Sequence, residues 1–145
     1  MYYIGIDPGQ SGGVGVLNAT GDYMNSFKFK DITIADIAEI FEYIVGLEGG
    51  TFAIIESVHS MPKQGVSSSF KFGRSYGNLE MALAAFKIPF DYVSPQRWQK
   101  YLQCQTKGNK NITKSLAQRL WPVQKITHAI ADALLLAEYA RRIKR

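Results

Sequence analysis

Three carboxylates stand where a carboxylate needs a reason. Asp7 ends the apolar run Tyr2-Tyr3-Ile4-Gly5-Ile6, Glu56 ends Thr51-Phe52-Ala53-Ile54-Ile55, and Asp132 lies inside Ile130-Ala131-Asp132-Ala133-Leu134-Leu135-Leu136. An unpaired carboxylate taken out of water is costly, so it is protonated, paired with Arg or Lys, or bound to a metal. No Arg or Lys falls within one helical turn of Asp132. Taken singly, each acid reads as a cap or a partly exposed side chain. If the three converge, an all-oxygen set suits one or two hard divalent cations, Mg²⁺ or Mn²⁺. His128 lies four residues before Asp132 on the same helical face, as a structural histidine or as a ligand or base.

The elements that must position these groups follow from periodicity. Tyr2 to Ile6 reads as a buried strand stopped by Asp7-Pro8-Gly9, and Val14 to Leu17 and Tyr23 to Phe29 complete a three-stranded meander. Ile34, Ile37, Ala38, Phe41 and Ile44 or Val45 mark the inward face of a helix. Thr51 to Ile55 is apolar on both faces, as a central covered strand requires. Ser57 to Ser69 reads as an exposed loop, with a helix from about Phe72 to Phe86 and a short strand at Phe90 to Val93. Helices follow over Pro95 to Leu102, Ile112 to Leu120 and Thr127 to Arg142. That order predicts an α/β fold, a mixed five-stranded sheet flanked by helices in a single domain over 1–145.

Charge is distributed unevenly. The net charge of the 145 residues is +5, but Met1 to Glu56 carries −6, Ser57 to Lys125 carries +9 and the remainder +2. An acidic first third beside a basic middle fits cations held at one spot and a nucleic-acid backbone across another, or a solvated surface of uneven sign. With Cys104 as the sole cysteine, an internal disulfide and a cysteine metal cluster are excluded, and a reducing compartment is expected. No stretch approaches the roughly 18 apolar residues of a membrane span, and no leader-like N-terminus is seen. The expectation is a cytoplasmic protein, bacterial or in a phage-infected host.

Basic and aromatic residues alternate from Met61 to Tyr76. Lys63, Lys71 and Arg74 are interleaved with Phe70, Phe72 and Tyr76, a combination suited to phosphates and exposed bases of branched or unstacked DNA. Phe72 and Tyr76 also have the spacing of core residues, and that reading is preferred for them. Lys107, Lys110, Lys114 and Arg119 form a second basic edge along a helix whose inward face is expected at Ile112, Leu116 and Leu120. Arg97 and Lys100 lie on the short helix before it. The basic C-terminal run Arg141 to Arg145 is equally explained by the favourable position of cations at a helix end.

Ile4-Gly5-Ile6-Asp7-Pro8-Gly9, Ala53-Ile54-Ile55-Glu56 and His128-Ala129-Ile130-Ala131-Asp132-Ala133-Leu134 together resemble the three acidic motifs of the ribonuclease H-like superfamily, in the arrangement of RuvC-type Holliday junction resolvases. The resemblance covers nearly the whole chain. It is greatest to compact bacteriophage and prophage versions, where Ser94-Pro95-Gln96-Arg97-Trp98 also has counterparts. It implies a ribonuclease H-like fold and a catalytic site of Asp7, Glu56 and Asp132 holding two Mg²⁺ or Mn²⁺ ions about 4 Å apart. Asp7 would bridge both ions, with Glu56 and Asp132 on either side. It further implies a four-way DNA junction as substrate, paired nicks with 5′-phosphates, and Phe70 as a wedge at the junction centre.

One position departs from the family pattern. A fourth acid, sometimes a histidine, is expected three residues before the last Asp, and Ala129 stands there. Either His128 takes the role, or Ala129 replaces a native Asp and the chain is weakened. Two equivalent strands need two sites related by a two-fold axis, hence a homodimer, with the helix carrying Gly73, Gly77, Leu79 and Leu83 as part of its interface. The competing readings are a ribonuclease H-like nuclease acting on RNA or on forks and flaps, and a non-catalytic junction-binding protein. An actin-like ATPase, which also begins Asp-x-Gly, needs a second lobe.

Overall fold

The computed structural model describes residues 1–59 and 61–144. A five-stranded sheet of order β3-β2-β1-β4-β5 is built from β1 (Tyr2–Asp7), β2 (Gly13–Asn18), β3 (Tyr23–Lys28), β4 (Thr51–Glu56) and β5 (Phe90–Val93). The meander β1-β2-β3 is antiparallel, while β4 lies parallel to β1 and β5 parallel to β4. The expected mixed α/β architecture is therefore present.

Side-chain alternation divides the core into two layers. Ile4, Ile6, Val14, Val16, Ala53 and Ile55 pack beneath α1 (Ile34–Val45) and α2 (Val66–Ala85). Tyr3, Leu17, Phe52 and Ile54 face the opposite layer, made by α3 (Pro95–Tyr101), α4 (Asn111–Leu120) and α5 (His128–Ile143). Asp7 and Glu56 share the alternation of the second set, so both carboxylates end up under α5.

Glycine sets how near α5 can come. A Cβ on Gly5 would collide with the Ala133 carbonyl oxygen, and one on Gly15 would stand 2.7 Å from the Leu134 nitrogen. Both strands thus present bare backbone to the turn of α5 that follows Asp132. The far end of α5 is pinned by Glu138 Oε1, which pairs at 2.7 Å with the buried Arg141 Nη2 and at 2.7 Å with Nε of the exposed Arg142. Trp121 Nε1 also donates to the Gly21 carbonyl at 3.0 Å, tying the end of α4 to the β2–β3 turn.

Several expectations need correction. Helix α2 begins at Val66 rather than near Phe72, because Gly65 caps it without a side-chain bond and Ser67 to Ser69 mimic a loop. On α1 the buried residues are Ile40, Phe41 and Ile44, whereas Ile34 is 58% exposed and Val45 also faces out. On α4 the buried face is Thr113 and Ala117, with Leu116 half-buried and Ile112 and Leu120 turned outward. The small residues let α4 lie close to α5, and the larger ones are displaced to the flank. Phe72 and Tyr76 are half-buried and stack on each other at 6.3 Å between centroids, neither fully core nor free. Leu79 and Leu83 belong to the core beneath α2 and are not available to a partner.

The loop expected from Ser57 includes Ser60, and the C-terminal basic run includes Arg145; both lie outside the described residues. Within the run, Arg141 and Arg142 are engaged by Glu138, and Lys144 sits over the Phe52 ring at 4.3 Å, which favours the structural explanation of those charges. Cys104 is buried and its thiol is pushed up to about 11 by that burial, so it is poorly nucleophilic. Among the described residues no helix is long and apolar enough to cross a membrane.

Candidate active site

The parallel register of β1 and β4, in which Ile6 is paired with Ile55, brings the next residues, Asp7 and Glu56, to the same level on adjacent strands. The turn after β1 is closed by a Gly12 N–H bond to the Gly9 carbonyl at 2.9 Å, and Gly9 N–H donates to Asp7 Oδ1 at 3.3 Å. Gly12 lies so near Asp7 that any Cβ would strike the Asp7 carbonyl oxygen. This turn holds the Asp7 carboxylate against the first turns of α5.

A cavity of about 140 Å³ opens between them, lined by Asp7 and Asp132 together with Lys110, Thr113 and His128. Asp132 Oδ1 is buried with no hydrogen-bond partner. Burial raises the Asp132 pKa, opposed by the Thr113 hydroxyl, Lys110 and His128. Asp7 is raised to about 6 by burial and then by repulsion from Asp132, with the Gly9 amide and Lys110 working the other way. Glu56 is raised to about 7, again by burial first; its bond from Trp98 lowers it, and the Asp7 and Asp132 charges raise it further. Three half-buried acids, two of which are further raised by the charge of a neighbouring carboxylate, are arranged as a binding site for positive charge.

Glu56 stands slightly apart. Its Oε2 accepts a 2.6 Å bond from Nε1 of the buried Trp98, whose helix α3 is capped by Ser94 and starts on Pro95. Among the described residues no three acid, histidine or cysteine groups yet enclose one point. The residues nevertheless fit a hard cation: an all-oxygen donor set, an orphaned carboxylate oxygen, and one lysine too few to neutralise three acids. Of the two positions considered for a fourth group, His128 lines the cavity of Asp7 and Asp132. Ala129 lines the neighbouring depression, with Ser11, Lys28 and Lys30.

The basic residues expected to meet DNA fall into separate groups. Lys110, the exposed N-cap residue of α4, also lines the carboxylate cavity. Lys71 and Arg74 on α2 flank a groove with Gln10 and Ser75. Lys100 and Lys107 share a hollow between α3 and the following loop. Lys63, Arg97 and Arg119 are exposed, Lys114 is half-buried, and Phe70 is 69% exposed on α2. Among the described residues none of these cations enters an ion pair. Lys28 and Lys30 were not singled out by sequence, because they lie in the acidic third; the structure adds them beside His128.

No family model matches the chain, and no curated protein matches it. Solved structures do, among them two of RuvC. Thermus thermophilus RuvC in complex with Holliday junction substrate superimposes with a TM-score of 0.73 at 16% identity, over 99% of this chain and 96% of that one. The Thermus thermophilus RuvC structure gives a TM-score of 0.73 at 17% identity, over 99% and 97%. At such identities it is the fold that is shared: the chain has the ribonuclease H-like fold of RuvC.

Proposed function

We propose that this chain is a structure-selective endonuclease that binds four-way DNA junctions as a homodimer and nicks two strands to leave 5′-phosphates. The observation that carries the reading is the convergence of Asp7 and Asp132 on one cavity, with Glu56 alongside, in a fold shared with a RuvC bound to a Holliday junction. The raised pKa values of Asp7 and Glu56 support it, since they express a charge deficit that divalent cations would relieve.

In this reading Asp7, Asp132 and Glu56 hold two Mg²⁺ or Mn²⁺ ions. Divalent ions held by these residues would supply water activation and charge neutralisation at the departing 3′ oxygen. The chain's own groups do the rest. Trp98 restrains the orientation of Glu56 and so of its second oxygen. Lys110 brings a cation toward the phosphate from the cavity wall. His128, on that wall, is the group able to accept or return a proton beside Asp132. Lys71, Arg74, Lys100, Lys107, Lys114, Arg119, Lys63 and Arg97 track the phosphates, and exposed Phe70 is suited to wedge against an unpaired base.

The deciding experiment incubates the protein, His128→Ala and Ala129→Asp with a labelled four-way junction, matched duplex, fork, flap and RNA hybrid in Mg²⁺. Junction-selective binding with paired nicks that fail in His128→Ala supports the reading. Nicking only by Ala129→Asp would mean that the fourth acid is missing from this chain. Binding without nicking in every version favours a junction-binding protein, and preference for a hybrid or flap would displace the junction as substrate.

A further inference from the structure

Next to the carboxylates lies a second hollow that the proposed chemistry leaves unused. It measures about 510 Å³, within the ~300–1,000 Å³ typical of small-ligand sites, and lies between the β1–β2 turn, the segment after β3, and α2. Its apolar side is Phe29, Ile32, Ile37 and Leu79; Gln10, Ser11, Asp31 and Ser75 supply polar edges. It shares Gly9 and Ser11 with the cavity of Asp7 and Asp132. Because Gly9 N–H is bonded to Asp7 Oδ1, an occupant would stand immediately beside the phosphodiester held at Asp7.

The distribution of charge says what the occupant is. Cations lie outside the hollow in two directions, Lys28 beside His128 and Lys71 with Arg74 along α2. Lys30 and Asp31, both exposed, line the hollow together, and their opposite charges leave its wall without net charge. A phosphate would therefore find its surplus of positive charge on the flanks rather than inside the hollow. A flat, uncharged ring with hydrogen-bonding edges satisfies both the apolar side and the polar rim.

We propose that this hollow receives one unstacked nucleobase of the strand being cut, with its face toward Phe29 and its edge read by Gln10 and Asp31. The inference rests on the endonuclease reading and deepens it by naming a specificity site. A carboxylate accepts from an exocyclic amino group, and a Gln amide both donates and accepts. The hollow should therefore prefer the amino-bearing bases adenine, cytosine and guanine to thymine.

The test uses four-way junctions with 2-aminopurine at successive positions around the branch, bound in EDTA so that no strand is cut. One position should brighten on binding the protein, as an unstacked base does. Gln10→Ala, on an exposed residue, and Ser75→Met, which fills the hollow from α2, should lower that brightening at least threefold. Junction affinity should then fall by about 5- to 150-fold, a stacked base's share. Placing adenine, cytosine or guanine at that position should give at least fivefold tighter binding than thymine, and Asp31→Asn should level them. Junction binding in which no position brightens, or equal brightening in both variants, would overturn the base site and leave the endonuclease reading intact. Absence of any preference for junction over duplex would remove both.

Discussion

Trp98 Nε1 donates to Glu56 Oε2 at 2.6 Å, joining α3 to the end of β4 across 42 positions of sequence. The indole is fully buried and Glu56 half-buried, so the bond is shielded on its donor side and restrains the carboxylate's orientation. Trp98→Phe keeps an aromatic ring and removes the donor. A bond to a charged group of this kind contributes about 1.5–3 kcal/mol, and groups that orient metal ligands typically cost 10–100-fold in affinity or activity when removed. We expect Trp98→Phe to raise the Mg²⁺ concentration for half-maximal cleavage by at least tenfold, with a melting temperature only modestly lower. An unchanged Mg²⁺ requirement would reduce Trp98 to a core residue.

The carboxylate cluster also predicts an inverted pH dependence. An acid whose folded pKa exceeds its unfolded value binds more protons folded than unfolded, so stability falls as pH rises between the two. That window runs from 3.8 to about 6 for Asp7 and from 4.5 to about 7 for Glu56. The lowered acids Asp36, Asp22 and Glu138 lose their contribution below that range. Metal-free protein should thus melt higher at pH 5.5 than at pH 8. At pH 8 with EDTA, Asp132→Asn should raise the midpoint by about 2–4 °C per kcal/mol relieved, while abolishing the stabilisation that Mg²⁺ gives the unaltered protein. Calorimetry at the two pH values decides it; a lower midpoint for Asp132→Asn at pH 8 would refute the charge argument.

How much of this was legible in the sequence depends on the range of the interaction. Asp7 and Glu56 were readable as strand ends because a buried strand announces itself locally, and Asp132 because a lone acid in an apolar helix has no local partner. The Trp98 bond was not readable, since nothing near α3 points to β4. The inward face of α4 was misjudged because Ile112 and Leu120 outrank Thr113 and Ala117 in hydrophobicity, whereas close packing on α5 selects small residues. Lys110 read as one more surface cation until the fold brought the start of α4 to Asp7.

Salt should report the phosphate contacts. Each neutralised phosphate contributes about −0.9 to the slope of log affinity against log salt on duplex DNA. Lys71→Ala with Arg74→Ala should therefore flatten the slope by about 2, and Lys100→Ala with Lys107→Ala likewise, if both hollows line the DNA path. Filter binding on one junction from 50 to 300 mM KCl is sufficient. A slope unchanged by either pair would exclude that helix from the interface.

The outward face of α2 carries the prediction about assembly. Val66, Gly73, Gly77 and Met81 recur at helical spacing along it, beside the exposed Phe70 left to DNA; Val66 is 88% and Met81 66% exposed, and no atom lies within 4 Å of a Cβ placed on either glycine. Leu79 and Leu83 are spent on the core, so a partner that docks on α2 must use this stripe. Two copies meeting across a two-fold axis would bury the same residues on both, and the glycines would allow the helices a close approach. Gly77→Arg should leave the melting temperature of the isolated chain nearly unchanged, because the added side chain projects into open space. Sedimentation should shift from dimer to monomer, and the paired nicks expected of a dimer should become single, uncoupled ones. A chain that sediments as a monomer before substitution, or a Gly77→Arg variant that remains dimeric, would move the two-fold axis away from α2.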